Sequence, residues 1–183
     1  QPTVHKKWDD ATAILVGDAL QSTAFELIMR EEVGPADVRV ALAASLSKAA
    51  GSAGMVLGQA LDIAAESASQ PLSLDEIIAL QAGKTGALIR WSAMAGALLA
   101  EEDPAPFLRY GEALGLAFQI ADDVLDVEGD EETVGKAVGK DADAGKATFV
   151  SLLGLGPAKN RARGLVEEAV DALLPYGKKA ETL

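Results

Sequence analysis

Phe118-Gln119-Ile120-Ala121-Asp122-Asp123-Val124-Leu125-Asp126-Val127 is the stretch on which the fold turns. At about 100° per residue on an α-helix, Gln119, Asp122 and Asp126 fall within about 60° of one another, and Gly115 lies in the same arc. Ala117, Phe118, Ile120, Ala121, Val124, Leu125 and Val127 fill most of the remaining circumference. A helix apolar over so wide an arc is expected to be buried on several sides, with its carboxylates facing an interior cavity. Like charges at i and i+4 destabilise a helix by a few tenths of a kcal/mol, and burial raises that cost well beyond this. Something must neutralise them, and a divalent cation is the simplest candidate. Mg²⁺ suits carboxylate oxygen, keeps several waters and commonly shares its shell with phosphate. The ordinary alternative for Asp-Asp-x-x-Asp is a solvated acidic face.

Outward from this stretch the chain reads as helix after helix, punctuated by proline and glycine. Asp103-Pro104 sets an N-cap before a proline at the first helical position and opens a helix that continues to about Val127. Before it, Gln81-Ala82-Gly83 leads into a helix from about Lys84 to Ala100, and Ser73-Leu74-Asp75-Glu76 fits a capping box that starts another after Pro71. A longer helix is expected from about Asp37 to about Ala68, bent at its glycines. Asp9 to about Arg30 is apolar at helical spacing through Ile14, Leu15, Leu20, Phe25 and Leu27, and Gly34-Pro35 ends it. Downstream, Glu128 to Gly145 carries Gly129, Gly135, Gly139 and Gly145 among lysines and reads as a loop or a broken helix. A short helix around Lys146 to Leu155 follows. Pro157 starts another that ends near Leu174, where Pro175-Tyr176-Gly177 breaks it. With no β-alternation and no repeat at fixed period, the fold class is all-α.

The chain has 183 residues, enough for one sizeable core, and 1–183 reads as a single domain. Hydrophobic residues make up 49% and aromatics only 4%, so the apolar mass is largely Ala, Leu, Val and Ile. Alanine is the best helix former. Against 16 Lys+Arg stand 28 Asp+Glu, a net charge of -12 that argues against a nucleic-acid or anionic-membrane surface. It favours bound cations, or a local basic patch outvoted by the rest. The absence of cysteine excludes disulfides, thiolate metal sites and a cysteine nucleophile. No segment is expected to provide the roughly 20 uninterrupted apolar residues of a membrane span. Gln1-Pro2-Thr3-Val4-His5-Lys6-Lys7 has no apolar core and is not a signal peptide, so a cytosolic protein is the default. Both ends read as cut: Lys178-Lys179-Ala180-Glu181-Thr182-Leu183 looks like the opening of another helix, and Gln1-Pro2-Thr3 like the end of a loop.

Within about twenty residues of the aspartates comes Gly135-Lys136-Ala137-Val138-Gly139-Lys140-Asp141, and then Lys146. Glycine lets backbone approach a ligand closely, and lysines are mobile point charges suited to phosphate oxygens. Acids for metal followed by lysines for phosphate are consistent with a metal-diphosphate complex. The spacing is not that of a nucleotide loop, and no strand precedes it. Taken alone, such a loop is a solvated turn. Gly83-Lys84-Thr85-Gly86 is a second point of this kind, at a helix start that already favours anions. Its ordinary reading is a surface lysine with a capping threonine. Gly51, Gly54, Gly58 and Asp62 share one face, a small-residue stripe best read as helix packing. For Gln59, Asp62 and Asp18 a structural role is the preferred reading over catalysis. His5 is the sole histidine, so no histidine triad or zinc site can be built. Trp8 and Trp91 read as packing residues.

Taken together these stretches resemble the trans-isoprenyl diphosphate synthases, nearest the bacterial farnesyl and geranylgeranyl diphosphate synthases. The matching pieces are Thr3 to Asp9, Ala13 to Leu20, Gly54-Met55-Val56-Leu57-Gly58-Gln59-Ala60-Leu61-Asp62, Lys84-Thr85-Gly86-Ala87-Leu88-Ile89-Arg90, Phe118 to Asp126 and the Gly135-to-Lys146 loop. The resemblance implies an all-helical bundle around a deep cavity, usually a homodimer. It implies joining of isopentenyl diphosphate to an allylic diphosphate, with Mg²⁺ holding the departing diphosphate against two Asp-rich motifs. By resemblance, Asp122, Asp123 and Asp126 are the second motif, with Asp122 first in line for metal contact and Asp126 next. Lys84, Lys136 and Lys146 would hold the allylic diphosphate, with Lys140 a weaker candidate. Thr85 and Gln119 would lie along the reacting allylic carbons. Preorganised cations are the natural answer to charge developing on a leaving group.

The first Asp-rich motif of that family, and the paired arginines after it, belong just before Gln1. The basic residues for isopentenyl diphosphate and those that set product length belong there too. The expectation is therefore a chain inactive alone and a parent enzyme that is active, with farnesyl diphosphate the first expected product and geranylgeranyl diphosphate the second. The rival expectations are a non-catalytic regulatory subunit of the same fold, a terpene cyclase or head-to-head condensing enzyme, and a plain helical interaction module.

Overall fold

The computed structural model describes residues 2–68, 70–129 and 147–183. Among the described residues there are helices and no strands. The chain divides into two compact units, Gln1–Ala44 and Ser45–Leu183.

In the first unit, α1 (Val4–Lys7) is followed by α2 (Asp10–Ile28). Asp9 caps α2, its carboxylate accepting the Thr12 N–H at 2.6 Å. That bond, joined by one from the Thr12 side chain, holds the Asp9 carboxyl below its ordinary value. Ile14, Leu15, Leu20 and Leu27 all stand exposed on α2. Trp8 departs from the packing role expected of it: it is 60% exposed, with the Lys7 ammonium over its ring at 4.7 Å. Gly34 turns the chain at φ +149°, a conformation costly for any residue with a Cβ. Arg39 then ties the turn together by donating to the Met29 carbonyl at 2.6 Å.

Helix α3 (Ala36–Ala50) passes from one unit to the next. Val38, Leu42, Leu46 and Ala50, spaced by four, form its buried stripe. The expected bend falls at residues 51–54, where a turn separates α3 from α4 (Met55–Glu66). A Cβ on Gly54 would stand 2.0 Å from the Ala49 carbonyl oxygen, so the turn requires glycine there. As one run, residues 36–66 are long and apolar enough to cross a membrane by length and composition. The turn divides them into helices of 15 and 12 residues, each short of the roughly 20 that a span needs.

In the second unit α4 is followed by α5 (Leu74–Gln81), a π-helical turn (Ala82–Gly86), α6 (Ala87–Leu99), α7 (Ala105–Glu128), α8 (Phe149–Leu153) and α9 (Leu155–Leu173). The Ser73 capping box is present: the Ser73 hydroxyl accepts the Glu76 N–H, and the Glu76 carboxylate accepts the Ser73 N–H at 2.8 Å. Asp103 accepts the Ala105 N–H at 3.0 Å ahead of α7. The last stretch is a 3₁₀ segment, Leu174–Ala180, broken at Gly177 (φ +52°) within the expected Pro175-Tyr176-Gly177 break; residues 178–183, where the opening of another helix was expected, hold only the end of that segment and a turn. Beyond it, the Tyr110 hydroxyl donates to the Leu183 carbonyl at 2.7 Å.

Helix α7 is the axis of this unit, packed on α6 and on α9. Its Tyr110, Ala113, Ala117 and Ile120 join Ile77, Phe149, Ala158, Leu165, Ala169 and Leu173 in one core. Small residues let the helices close up. A Cβ on Gly111 would lie 2.7 Å from the Arg90 Cα, and one on Gly115 3.2 Å from the Gly86 Cα.

Hydrogen bonds from the backbone and hydroxyl of Ser73 hold the Glu76 carboxyl below its ordinary value. A carboxyl depressed in the folded chain adds stability above its unfolded pKa and loses that contribution as pH falls through its folded pKa. The native chain is therefore expected to outlast Glu76→Gln in urea near neutral pH. The advantage should shrink to nothing on acidification through the carboxylate range, as read by denaturation midpoints at a series of pH values.

Candidate functional site

The acidic helix forms as expected, but it is not buried all round. Ala117 and Ile120 lie in the core, whereas Phe118 is 55% exposed and Leu125 and Val127 are also open. The elements packed on α7, chiefly α6 and α9, leave these apolar positions uncovered. Gln119, Asp122 and Asp126 are partly buried, neither in the core nor fully open to solvent. None of Asp122, Asp123 and Asp126 is without a partner.

Asp123 sits about 100° round the helix from Asp122 and is engaged elsewhere. Its Oδ2 accepts the Phe149 N–H at 2.7 Å. Phe149 is the first residue of α8 and is 1% exposed, so this bond meets a helix-start N–H on the edge of the core. The same end of α7 is tied to α9 by an ion pair between Glu128 and Lys159. Removing the acceptor leaves a sheltered N–H unpaired, which costs about 1–3 kcal/mol. Asp123→Ala is expected to lower the melting temperature by about 2–12 °C, with Asp123→Asn, which keeps an acceptor oxygen, closer to the native chain. Thermal denaturation of the three proteins checks this.

Lys84 and Thr85 lie in the π-turn, and both are partly buried. A break between two helices was expected here. Instead α5 and α6 run through one extra-wide turn, a feature that concentrates at functional sites. Two close approaches set its position. Gly58 of α4 presses on its backbone, so that a Cβ there would come 2.0 Å from the Lys84 nitrogen. Gly86 rests on Gly115 of α7. Gly115 belongs to the arc of Gln119, Asp122 and Asp126, so the lysine turn seats on the face that carries the carboxylates. Gln119 follows one turn along α7 and Asp122 two turns along, about 10 Å from the Gly115 contact.

The Lys84 ammonium forms an ion pair with Asp62 of α4 at 2.7 Å. This partner is a tertiary contact across 22 residues and left no signature in local spacing beyond the shared face of Gly58 and Asp62. Trp91 packs as expected and donates its indole N–H to Ser45 Oγ at 3.0 Å. Beside the π-turn is a cavity of about 210 Å³ lined by Ile78, Gln81, Ala82, Gly86, Arg90, Glu112 and Leu116. It holds none of the candidate residues. Lys136, Lys140 and Lys146 lie outside the described residues.

Among the described residues no three of His, Cys, Asp and Glu come together as a metal cage. The donor set is two carboxylates at i and i+4 on one helix face, Asp122 and Asp126. It fits a hard cation held by one or two carboxylates whose remaining positions are filled by water and phosphate.

Residues 1–174 match the family model described as polyprenyl synthetase. The farnesyl diphosphate synthase of Haemophilus influenzae is 42% identical, over 100% of this chain and 63% of that protein. Among solved structures, the apo FPP/GFPP synthase of Zymomonas mobilis superposes with a TM-score of 0.87 at 43% identity, covering 98% of this chain and 61% of the other. A Helicobacter pylori geranyltransferase, solved with magnesium and isoprenyl diphosphate, gives 0.83 at 37% identity, covering 97% and 58%. The chain thus spans about 60% of the length of these relatives.

Proposed function

Because this chain belongs to the polyprenyl synthetase family, we propose that it carries the magnesium-diphosphate side of a prenyltransferase active site. The reaction condenses isopentenyl diphosphate with an allylic diphosphate to a short-chain product, farnesyl diphosphate ahead of geranylgeranyl diphosphate. The observation that carries the proposal is the seating of the Lys84-Thr85 turn on Gly115, on the α7 face shared by Gln119, Asp122 and Asp126.

Asp122 and Asp126 would hold Mg²⁺, which when bound supplies positive charge to a departing diphosphate. Lys84, on the turn that seats on this face, carries an ammonium paired with Asp62 of α4, a point charge suited to a phosphate oxygen. The Thr85 hydroxyl and the Gln119 side-chain carbonyl offer oxygen atoms where positive charge grows on the allylic carbons. Lys136 and Lys146 complete the diphosphate hold in this proposal, and Asp123 serves the metal motif chiefly by fixing the start of α8. A net charge of -12 makes such localised cations necessary for an anionic substrate. A cytoplasmic homodimer without a nucleic-acid partner is part of the proposal.

Thermal melting with magnesium and inorganic pyrophosphate tests it. A ligand at one hundred times its Kd stabilises by about 2.7 kcal/mol, which for a chain of this size raises the midpoint by about 5–11 °C. Pyrophosphate without metal should do less. Equal midpoints in all conditions would contradict the proposal.

A further inference from the structure

Helix α4 holds Lys84 at two points, and from this we infer that Asp62 is a positioning residue that aims the Lys84 ammonium at a phosphate group. The inference rests on the proposed diphosphate reading of the site. The Lys84 Nζ lies 2.7 Å from Asp62 Oδ2, and the two side chains are 33% and 15% exposed respectively. The carboxylate is therefore well sheltered while the ammonium keeps an open side. Gly58 stands one turn before Asp62 on the same face of α4. Because Gly58 has no Cβ, α4 reaches the Gly83 and Lys84 backbone, which a side chain would meet at 2.0–2.6 Å. Gly58 thus registers the backbone of the lysine and Asp62 its charged end, across 22 residues of chain.

The chemistry of the ammonium gives this arrangement its use. Lysine has three N–H donors and no acceptor. One donor directed at Asp62 leaves two for phosphate oxygens. A lysine side chain is among those that lose most rotamer freedom on ordering, and Asp62 shifts that loss from ligand binding to folding. The Asp62 charge also repels an anion, so two effects of opposite sign act on pyrophosphate. Only the first depends on Lys84. The Asp62 effect must therefore change sign or vanish when Lys84 is removed.

Calorimetric titration with magnesium pyrophosphate, on the native chain and on Asp62→Ala, Lys84→Met and the double variant, tests this. Asp62→Ala is expected to weaken binding about tenfold in the native background. In the Lys84→Met background the same change is expected to leave binding equal or tighter, a non-additivity that reports direct coupling. Nitrogen-15 relaxation of the Lys84 ammonium gives a ligand-free readout, and its order should fall in both Asp62→Ala and Asp62→Asn. Asp62→Asn keeps shape and an acceptor, should preserve the fold and should bind with intermediate affinity. If the native chain binds while Asp62→Ala acts alike in both backgrounds, or the ammonium order stays unchanged, the role of Asp62 is overturned alone. If the native chain binds no magnesium pyrophosphate, the site reading is overturned and the inference with it.

Discussion

Asp122→Ala is expected to weaken magnesium-dependent pyrophosphate binding by about a hundredfold or more while leaving the fold intact. Asp122 lies on the α7 arc on which the Lys84 turn seats, and it is partly buried. Removing even an outer-shell partner of a metal costs about 10–100-fold in affinity, and a direct ligand stands at or above the top of that range. The fold should survive because the residues that build the core on α7 are Tyr110, Ala113, Ala117 and Ile120, not the acids. Pyrophosphate titrations with and without magnesium check the effect. The loss should appear only in the presence of metal. Native affinity in Asp122→Ala would remove this residue from the site and leave Asp126 as the remaining metal ligand on that face.

Gly58→Ala should cost the chain more stability than either Asp123→Ala or Glu76→Gln. The added carbon would fall 2.0 Å from the Lys84 nitrogen, 2.5 Å from its Cα and 2.6 Å from the Gly83 carbonyl carbon. All three are backbone atoms, so no side chain can swing aside. Either α4 or the π-turn must move. Overpacking costs about 1–3 kcal/mol and sometimes more, and a clash confined to backbone belongs at the upper end. A loss of about 3 kcal/mol lowers the melting temperature by about 6–12 °C and takes a large share of a net stability of about 5–15 kcal/mol. Gly96 on α6 is the control, because a Cβ there would meet nothing within 4 Å. Gly96→Ala is expected to be neutral or to stabilise by about 0.4–1 kcal/mol through its effect on the unfolded chain. Gly58→Ala should also weaken pyrophosphate binding, since the atoms it displaces carry Lys84. Equal midpoints for the two alanine variants would show that the contact between α4 and the π-turn is not rigid.

Features written into short stretches were legible in the sequence. Ser73 and Glu76 announced their capping box, Asp103 its place before α7, and the glycines around 51–54 the bend between α3 and α4. Each depends on residues within a few positions of one another. The π-turn was hidden because Gly83-Lys84-Thr85-Gly86 reads locally as a helix start. What carries the helix through is support from Gly58 on one side and Gly115 on the other. The partners of Asp62 and Asp123 were hidden for the same reason, being 22 and 26 residues away. Helical periodicity placed Phe118, Leu125 and Val127 on α7 correctly, but it carries no information on which apolar positions are covered.

The claim on which the rest depends is that magnesium and pyrophosphate bind together, between the α7 carboxylates and the Lys84 turn. Paramagnetic broadening by Mn²⁺, a hard cation with the same preference for oxygen, locates them directly in the amide spectrum of the chain. With pyrophosphate present, the strongest broadening should centre on residues 119–126 and 84–85, and it should weaken when pyrophosphate is withdrawn. Broadening spread over exposed acids such as Glu31, Glu32, Glu101 and Glu102, unchanged by pyrophosphate, would contradict the account.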